Sequence, residues 1–333
     1  MNKTLSIKDI AKMCGTSVAT VSRVLNNTGR YSVKTEKRVM DIVNATGYTP
    51  NLVARGLRAS KMNIIGILTP DITNEFFAKL VNGIQIELFR QNYHSIICNT
   101  NEEPEMERKH LEMLQQQHVA GIIFIGGLEF FTSTGAAVPT VYIDRSPPYA
   151  QRGENCIVVE SDNTQGGKQA AMRLLDRGCK KIVMLTDVRR PSSQQNRING
   201  FIEAHGIAGV AINTELIIDL YDISFNAAYN ATNKLFENNI TFDGIFASTD
   251  WLAIGAYVAL TERGIKVPDD VGLVGYDDIS IARHNAKPLT TIKQDVEAIT
   301  KATVDGLLDL TSEGMEPQKE VKIPISLIIR ETA

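Results

Sequence analysis

The feature that most constrains this chain is a pair of short amphipathic segments on either side of a glycine, within residues 7–27. The stretch reads IKDIAKMCGTSVATVSRVLNN, and its apolar positions recur at helical spacing before and after Cys14-Gly15-Thr16. Ser17 can cap the second helix, whose inner face is formed by Val21, Val24 and Leu25. Two short helices joined by a glycine-containing turn form a helix-turn-helix, whose second helix enters the major groove of DNA.

The charge distribution agrees with a nucleic-acid-binding segment at the amino end. Residues 1–61 contain eleven Lys and Arg against three Asp and Glu, a net charge of +8. The remainder contains 24 bases and 35 acids, a net of −11, so the overall charge of −3 conceals the contrast. A basic head on an acidic body predicts that the head alone meets a polyanion, although clustered charge by itself also describes a solvated face.

A third helix is predicted from a cap at Ser32 through Val39, Ile42 and Val43 to a stop at Gly47.

The second helix presents small and polar side chains to DNA. Arg23 can donate two hydrogen bonds to guanine, with a plain phosphate contact as the alternative. Small apolar side chains suit thymine methyl groups, whereas hydroxyl groups suit phosphate oxygens. The predicted contacts to DNA in the head are Ser6, Thr16, Ser17, Val18, Ala19, Thr20, Ser22, Arg23, Asn26, Arg30 and Thr35.

The sequence of the segment that follows the head predicts a linker that folds when it binds DNA. Asn51 can cap a helix of one or two turns, which Gly56 weakens and which is too short to be stable alone in water. Leu57 can wedge between base pairs from the minor groove, and Asn51 and Ala54 are further predicted contacts. The alternative is a flexible tether with Leu57 exposed to solvent.

From residue 62 onward, apolar runs of strand length alternate with amphipathic helical stretches. This alternation predicts parallel sheets with helices on both faces. The number of strands exceeds that of one usual doubly wound unit, so two lobes of similar plan are expected. The candidate strands are Ile64–Leu68, Ser95–Cys98, Gly121–Ile125, Thr140–Ile143, Ile157–Val159, Ile182–Leu185, Glu215–Asp219, Gly244–Ala247, Gly272–Tyr276 and Thr290–Lys293.

Ligands of open α/β sheets bind beyond the carboxyl ends of the strands. The residues that follow the predicted strands are rich in Asp, Asn, Arg, Gln and aromatic side chains. This chemistry suits a sugar, because planar polar groups pair with adjacent hydroxyls while aromatic rings cover the C–H face. Each residue alone has a structural alternative: Asp250 as a helix cap, Asp144 and Arg145 as an ion pair, and Phe76 as core.

Residues 2–60 resemble the head of the lactose-repressor (LacI/GalR) family of bacterial transcription regulators. The resemblance rests on residues 7–11 (IKDIA), 18–26 (VATVSRVLN), 47–51 (GYTPN) and 54–57 (ARGL). It implies a homodimer on a pseudo-palindromic operator of double-stranded DNA. It also implies a hinge helix over Asn51–Ala59, with Leu57 kinking the central base step.

The body resembles the ligand core of the same family and, through it, periplasmic sugar-binding proteins of the ribose type. The matching motifs are residues 70–77 (PDITNEFF), 143–145 (IDR), Arg197 before Gly200-Phe201, 248–255 (STDWLAIG), 274–278 (VGYDD) and 290–294 (TTIKQ). Thr249 departs from the pattern, because many members have Asn there. The pocket residues that the resemblance implies are Asn74, Phe76, Phe77, Asp144, Arg145, Arg197, Tyr221, Thr249, Asp277 and Gln294.

The predicted organisation is a helix-turn-helix domain over 1–50, a hinge helix or linker over 51–61, and a ligand-binding and dimerisation core over 62–333. By the resemblance, the amino lobe uses about 62–159 and 295–318, and the carboxyl lobe about 160–292 and 321–333. The chain would then cross three times between the lobes. A dimer is favoured over a tetramer because no Leu-rich tail follows Ala333.

Other classes of protein are disfavoured by what the sequence lacks. The four cysteines are widely spaced, without a metal-binding pattern, and we expect reduced, partly buried side chains with no metal and no cofactor. Neither a signal peptide nor an apolar run of membrane-spanning length is present, so a cytoplasmic protein is expected. No phosphate loop or Ser/Cys–His constellation suggests an enzyme.

The sequence therefore predicts a sugar-responsive transcriptional regulator, a repressor of an operon for uptake or use of ribose, sucrose or a related sugar. One alternative is a corepressor-type regulator that responds to a purine or to a phosphocarrier protein. A third hypothesis is an enzyme or transport binding protein on the same core.

Overall fold

The computed structural model describes residues 5–25, 27–48, 62–127, 138–147, 155–311 and 319–333. The chain divides into two compact units, Met1–Met62 and Asn63–Ala333. The hinge residues 51–61, including the predicted contacts Asn51, Ala54 and Leu57, lie outside the described residues, as does Asn26.

Among its described residues, the first unit contains three helices, α1 (Ile7–Cys14), α2 (Val18–Leu25) and α3 (Val33–Thr46). Each contributes a fully buried side chain to one small core, which is built around Ile10, Val21 and Val39. Gly15 ends α1 with φ +57°, a left-handed conformation that favours glycine. The helix-turn-helix that the sequence predicts is therefore confirmed.

The second unit holds two six-stranded sheets. The first has the order β11-β5-β4-β3-β1-β2 and the second the order β12-β10-β9-β8-β6-β7. The strands of the first sheet are β1 (Met62–Thr69), β2 (His94–Asn99), β3 (Val119–Ile125), β4 (Thr140–Ile143), β5 (Cys156–Ser161) and β11 (Lys319–Ile323). The strands of the second are β6 (Ile182–Asp187), β7 (Ile217–Leu220), β8 (Gly244–Ala247), β9 (Gly272–Asp277), β10 (Thr290–Gln294) and β12 (Ile325–Ile328).

Helices cover both faces of each sheet. The helices of the second unit are α4 (Glu75–Arg90), α5 (Pro104–Gln116), α6 (Asn163–Asp176), α7 (Ser192–Ala208), α8 (Phe225–Glu237), α9 (Asp250–Glu262), α10 (Ser280–His284) and α11 (Val296–Thr311). In the first lobe, α4 and α11 pack on one face through Ile84 and Leu307, and α5 packs on the other through Leu114. The second lobe repeats this plan, with α8 and α9 opposite α6 and α7.

The ten predicted strands are all present, but two strands at the edges of the sheets were missed. β11 pairs in parallel with β5, so that Lys319 lies opposite Ile157, and β12 pairs antiparallel with β10. Because Lys319–Ile323 belongs to the first sheet, the third crossing between the lobes falls at Pro324. The predicted start of the carboxyl-lobe segment at 321 was therefore a few residues too early.

One predicted strand was misplaced. Glu215–Asp219 was expected to be extended, but Thr214–Leu216 forms a turn of 3₁₀ helix and the strand runs from Ile217 to Leu220. The Asn213 side chain accepts a hydrogen bond from the backbone N–H of Glu215 and so starts the turn.

Candidate functional site

A cleft of about 480 Å³ lies between the two lobes, at the carboxyl ends of the strands. Eight of the ten predicted pocket residues line it, namely Asn74, Phe76, Phe77, Asp144, Arg145, Arg197, Thr249 and Asp277. The cleft is polar on most of its surface, with Phe76, Phe77 and Ile223 as its apolar part. Such a mixture orients a small polar ligand while shielding its apolar face.

The aromatic wall comes from the start of α4. Asn74 caps this helix, because its Oδ1 accepts a hydrogen bond from the Phe76 N–H at 3.0 Å. The Phe76 and Phe77 rings lie 5.5 Å apart at 57°. Phe76 is only 3% exposed and also belongs to the hydrophobic core. It therefore fills both roles that the sequence left open.

Asp144 and Arg145 follow β4 and are both buried, with 8% and 7% exposed. They do not pair with each other. Asp144 accepts a hydrogen bond from the Ser193 hydroxyl at 3.2 Å and lies 3.8 Å from the Arg197 guanidinium, which comes from the opposite lobe. Arg145 donates to the carbonyl of Gly126 at 3.0 Å and to Glu102 at 2.8 Å. The alternative of a simple Asp144–Arg145 ion pair is therefore wrong.

Two atoms of these residues have no hydrogen-bond partner among the described residues: Oδ1 of Asp144, which lies 3.8 Å from Nη2 of Arg197, and Nε of Arg145. Both atoms are buried, and both residues line the cleft. An unpaired buried acceptor or donor costs free energy, about 1–3 kcal/mol for a typical group. The hydroxyl groups of a polyol can donate to such an acceptor and accept from such a donor.

Arg197 is held by close packing of α6 against α7. A Cβ on Gly200 would lie 1.9 Å from the Thr164 carbonyl oxygen, and one on Gly167 would lie 2.0 Å from the Arg197 carbonyl oxygen. Glycine at both positions therefore lets the two helices touch. At this contact the Arg197 side chain donates to Asn163 Oδ1 at 2.9 Å and to the Ser248 carbonyl at 2.6 Å.

Gln294 stands behind Asp277 rather than in the cleft wall. Its Nε2 donates to Asp277 Oδ1 at 2.8 Å, and it is absent from the residues that line the described cleft. Burial raises the pKa of Asp277 to about 7, against the opposing effects of Arg197 and Gln294, and nearby Asp144 adds to the rise. Gln294 therefore does not line the described cleft, and a direct contact with a ligand stays a prediction.

The residue that caps α9 is Thr249, and not Asp250, for which the sequence offered that role. Thr249 lines the cleft and also caps α9, accepting a hydrogen bond from the Leu252 N–H at 3.3 Å. Asp250 is fully buried and accepts hydrogen bonds from the Thr291 hydroxyl at 2.6 Å and the Ile279 N–H at 2.9 Å. Burial raises the pKa of Asp250 well above its ordinary value.

Tyr221 is not a pocket residue. It is 88% exposed, while its neighbours Asp222 and Ile223 line the cleft. The 3₁₀ turn at Thr214–Leu216 precedes β7, which ends at Leu220 rather than at Asp219, and the residues that line the cleft are Asp222 and Ile223.

The sequence reading missed several cleft residues. Asn101 and Glu102 follow β2 and Asp187 ends β6, whereas Ser193 and Gln194, at the start of α7, lie in the polar stretch that the sequence places after the strand Ile182–Leu185. Reading the residues that follow β2 would have found the first two, because they obey the same strand-end rule as Asp144 and Asp277. The other lining residues are Pro70, Asp71 and Thr73.

The head presents its own candidate surface. Ser6 forms a capping box with Asp9, Ser17 accepts a hydrogen bond from the Thr20 N–H at 3.1 Å, and Ser32 caps α3 through the Thr35 N–H at 3.2 Å. These hydroxyls lie at helix N-termini, where free backbone N–H groups attract phosphate.

Fewer side chains of α2 are exposed to solvent than the sequence suggested. Ala19 and Arg23 are exposed, and the aliphatic part of Arg23 lies beside Gly29. Val18 and Ser22, which were expected to be exposed, are half-buried, and Val18 packs against the core of the head. Arg30 is exposed, whereas Thr16, Thr20 and Thr35 are half-buried.

The four cysteines are free and buried, and burial raises the pKa of Cys98 to about 11. Within the ranges that the structure describes, no cluster of His, Cys, Asp and Glu is suited to hold a metal ion. None of the described helices is long and apolar enough to cross a bilayer.

A helix-turn-helix unit followed by a two-lobed core with a polar cleft defines a DNA-binding regulator with a ligand-sensing domain. Comparison with known families agrees. Residues 6–51 match the family model for bacterial regulatory proteins of the lacI family, and residues 171–333 match a periplasmic binding protein-like domain.

Individual relatives agree with these matches. The transcriptional regulator DegA of Bacillus subtilis is 36% identical over 88% of this chain and 87% of its own. The ribose operon repressor of Halalkalibacterium halodurans is 33% identical over 98% and 96%. A crystal structure of the lac repressor dimer bound to operator and an anti-inducer superposes with a TM-score of 0.83, at 25% identity over 99% of both chains. The chain therefore belongs to the lacI family of bacterial regulatory proteins.

Proposed function

We propose that this protein represses genes for the uptake or use of a sugar, and that the sugar binds in the cleft between the lobes. The observation that carries this proposal is that two buried atoms of cleft-lining residues, Asp144 Oδ1 and Arg145 Nε, have no hydrogen-bond partner among the described residues. A sugar hydroxyl donates to the first and accepts from the second, which removes the cost of leaving both unpaired.

The Phe76 and Phe77 rings support the same ligand class, because an aromatic face covers the C–H side of a sugar ring. The ribose operon repressor among the relatives is consistent with a pentose or a related sugar. A purine fits less well, because eight of the eighteen residues that line the described cleft carry charged side chains. In the described cleft, no constellation of nucleophile and base indicates an enzyme.

The DNA partner is proposed from the head. Arg23 and Ala19 on the exposed face of α2 would read base edges, and Ser6, Ser17 and Thr35 would hold phosphates. We propose that the protein acts in the cytoplasm as a homodimer on an inverted-repeat operator, as the lac repressor dimer binds its operator. Leu57 would then be the minor-groove wedge of a hinge helix.

Contacts across the cleft give the ligand a means to change the arrangement of the lobes. The Glu75 carboxylate of α4 accepts a hydrogen bond from the Ser280 N–H of α10 at 2.8 Å, and the Ser192 hydroxyl accepts one from the Ser146 N–H at 2.8 Å. A ligand that binds one arrangement better than another shifts the population, by no more than its difference in affinity.

A thermal-shift screen of the full-length protein tests the ligand class. The panel contains pentoses, hexoses, disaccharides, sugar phosphates and purines. The proposal expects a concentration-dependent rise of the melting temperature with an uncharged sugar. A response to purines alone, or to none of the carbohydrates, contradicts it.

A further inference from the structure

We propose that Glu102 is a specificity-determining residue that excludes phosphorylated and other anionic ligands from the cleft, so that the effector is an uncharged sugar. This inference rests on the proposed function for the identity of the ligand, but the role of Glu102 is testable without it. Glu102 follows β2 and was not anticipated from the sequence.

The geometry places Glu102 between two guanidinium groups from opposite lobes. Its Oε1 accepts a hydrogen bond from Arg145 at 2.8 Å, and its Oε2 lies 2.6 Å from Nη1 of Arg189. Arg145 belongs to the first lobe, after β4, and Arg189 to the second, after β6. Two converging guanidinium groups would by themselves form a strong site for a phosphate.

The Glu102 carboxylate takes the position that such a phosphate would require. Its side chain is 28% exposed and that of Arg145 only 8%, so the pair is largely shielded from solvent. Arg189 is also held by both carboxylate oxygens of Asp187, at 2.9 and 2.6 Å. Neither arginine is therefore free to bind an incoming anion unless Glu102 moves away.

The backbone that carries Glu102 has an unusual conformation. Asn101 and Glu102 both lie in the left-handed region, with φ +52° and +57°, immediately after the strand. Such a conformation is uncommon for residues with a side chain and is retained only where its surroundings hold it. The turn therefore directs a carboxylate to the two arginines at a definite position.

The net charge of the residues that line the cleft also disfavours anionic ligands. Six carboxylates line the cleft, from Asp71, Glu102, Asp144, Asp187, Asp222 and Asp277, against the two guanidinium groups of Arg145 and Arg197. Both of these arginines face a carboxylate from the same set. An anionic ligand would meet an excess of negative charge, whereas an uncharged polyol would meet acceptors for its hydroxyls.

The test compares Glu102→Gln with the wild-type protein, using inorganic phosphate as the probe. The amide keeps the shape but removes the carboxylate shared by the two arginines, which leaves Arg189 with Asp187 alone, so phosphate is expected to raise the melting temperature of this variant by about 2–4 °C at tenfold its dissociation constant. The wild type is expected to show no shift against sodium chloride of equal ionic strength. Glu102→Ala tests the same point with a side chain that makes no new hydrogen bond.

Glu103→Gln is the matched control, because Glu103 is the next residue, is exposed and makes no side-chain cap. It should behave as the wild type, and adding Arg189→Ala to Glu102→Gln should remove the phosphate response. A phosphate response in the wild type, or none in either Glu102 variant, overturns the proposal.

A second comparison uses D-ribose and D-ribose 5-phosphate. The wild type is expected to respond to the sugar and not to its phosphate, while Glu102→Gln gains at least tenfold in affinity for the phosphate. If no carbohydrate stabilises the wild type, the proposed function fails, and the inorganic phosphate experiment still decides the role of Glu102.

Discussion

The Arg197 guanidinium lies over the ring of Tyr276, with 3.6 Å between its Cζ atom and the ring centroid. Asn163 Oδ1 joins the two side chains, accepting hydrogen bonds from Arg197 Nε at 2.9 Å and from the Tyr276 hydroxyl at 3.1 Å. Burial raises the pKa of Tyr276, so its hydroxyl stays protonated and remains a donor. The cleft arginine is thus fixed before any ligand arrives.

Replacing Arg197 by Lys should remove this fixation, because an ammonium cannot stack on the ring or donate in the same planar geometry. We expect the free energy of unfolding to fall by about 1.5–3 kcal/mol and the stabilisation by ligand to disappear. Chemical denaturation with and without sugar measures both. Arg177→Lys, on the exposed end of the same lobe, should change stability by less than about 0.5 kcal/mol. Equal effects of the two substitutions would contradict the account.

The close contact of α6 with α7 predicts that Gly200 cannot be replaced without loss of stability. Gly200→Ala places a Cβ against the Thr164 carbonyl oxygen and should lower the free energy of unfolding by at least about 1–3 kcal/mol. It should also weaken ligand binding, because Arg197 lies at this contact. Gly206→Ala on the same helix has no heavy atom within 4 Å and should stabilise by about 0.5–1 kcal/mol. A Gly200→Ala variant as stable as the wild type would refute the close-packing argument.

The raised pKa of Asp277 predicts a pH dependence of stability. An unfolded Asp ionises near a pH of about 3.9, whereas Asp277 in the folded protein ionises at about 7. Between these values the folded state keeps a proton that the unfolded state has released, so the free energy of unfolding falls as pH rises from about 4 to 7. Asp277→Asn should remove this part of the decline.

The measurement compares the free energy of unfolding of wild type and Asp277→Asn at pH 5 and pH 8. The variant should gain relative to the wild type as pH rises, and because the Asp277 charge also raises the pKa of Asp250, its removal acts on Asp250 in the same direction. Asp269→Asn, an exposed carboxylate, serves as the control and should show no such gain. Parallel curves for wild type and Asp277→Asn would show that Asp277 does not hold this proton.

For the head, Arg23→Ala should weaken specific DNA binding by about 1–3 kcal/mol and relax the preference for one base pair of the half-site. Lys37→Ala on α3 removes the same charge from an exposed position and should leave the base preference unchanged. Binding to a panel of duplexes with single base-pair changes distinguishes the loss of a base contact from the loss of a positive charge alone. An unchanged preference in Arg23→Ala would assign that residue to phosphate contact alone.

Much of the fold could be predicted because buried parallel strands are continuous apolar runs, such as Ile182–Leu185 and Gly244–Ala247. The missed strands lie at sheet edges, where Lys319–Ile323 alternates charged and apolar residues and carries no such run. An edge strand is defined by its partner more than by its own composition.

The site was predictable where a residue follows a strand directly, as Asp144 does. Gln294 ends a strand and obeys the same rule, but its amide is held by Asp277, which only the tertiary structure shows. The prediction that Tyr221 lies in the cleft missed by one residue, because a local 3₁₀ turn moved the strand along the sequence and Asp222 lines the cleft instead. Glu102 was not predicted, because its contacts in the site are with two arginines, Arg145 and Arg189, that are distant in sequence.

The central claim is that a ligand in the cleft controls DNA binding by the head. The most direct test measures the affinity of the full-length protein for a selected inverted-repeat duplex, by fluorescence anisotropy at fixed salt, with and without the stabilising sugar. The account predicts a change in Kd of at least about fivefold, and a loss of this change in Arg197→Lys. An unaltered Kd at saturating sugar, or equal binding to a scrambled duplex, would contradict it.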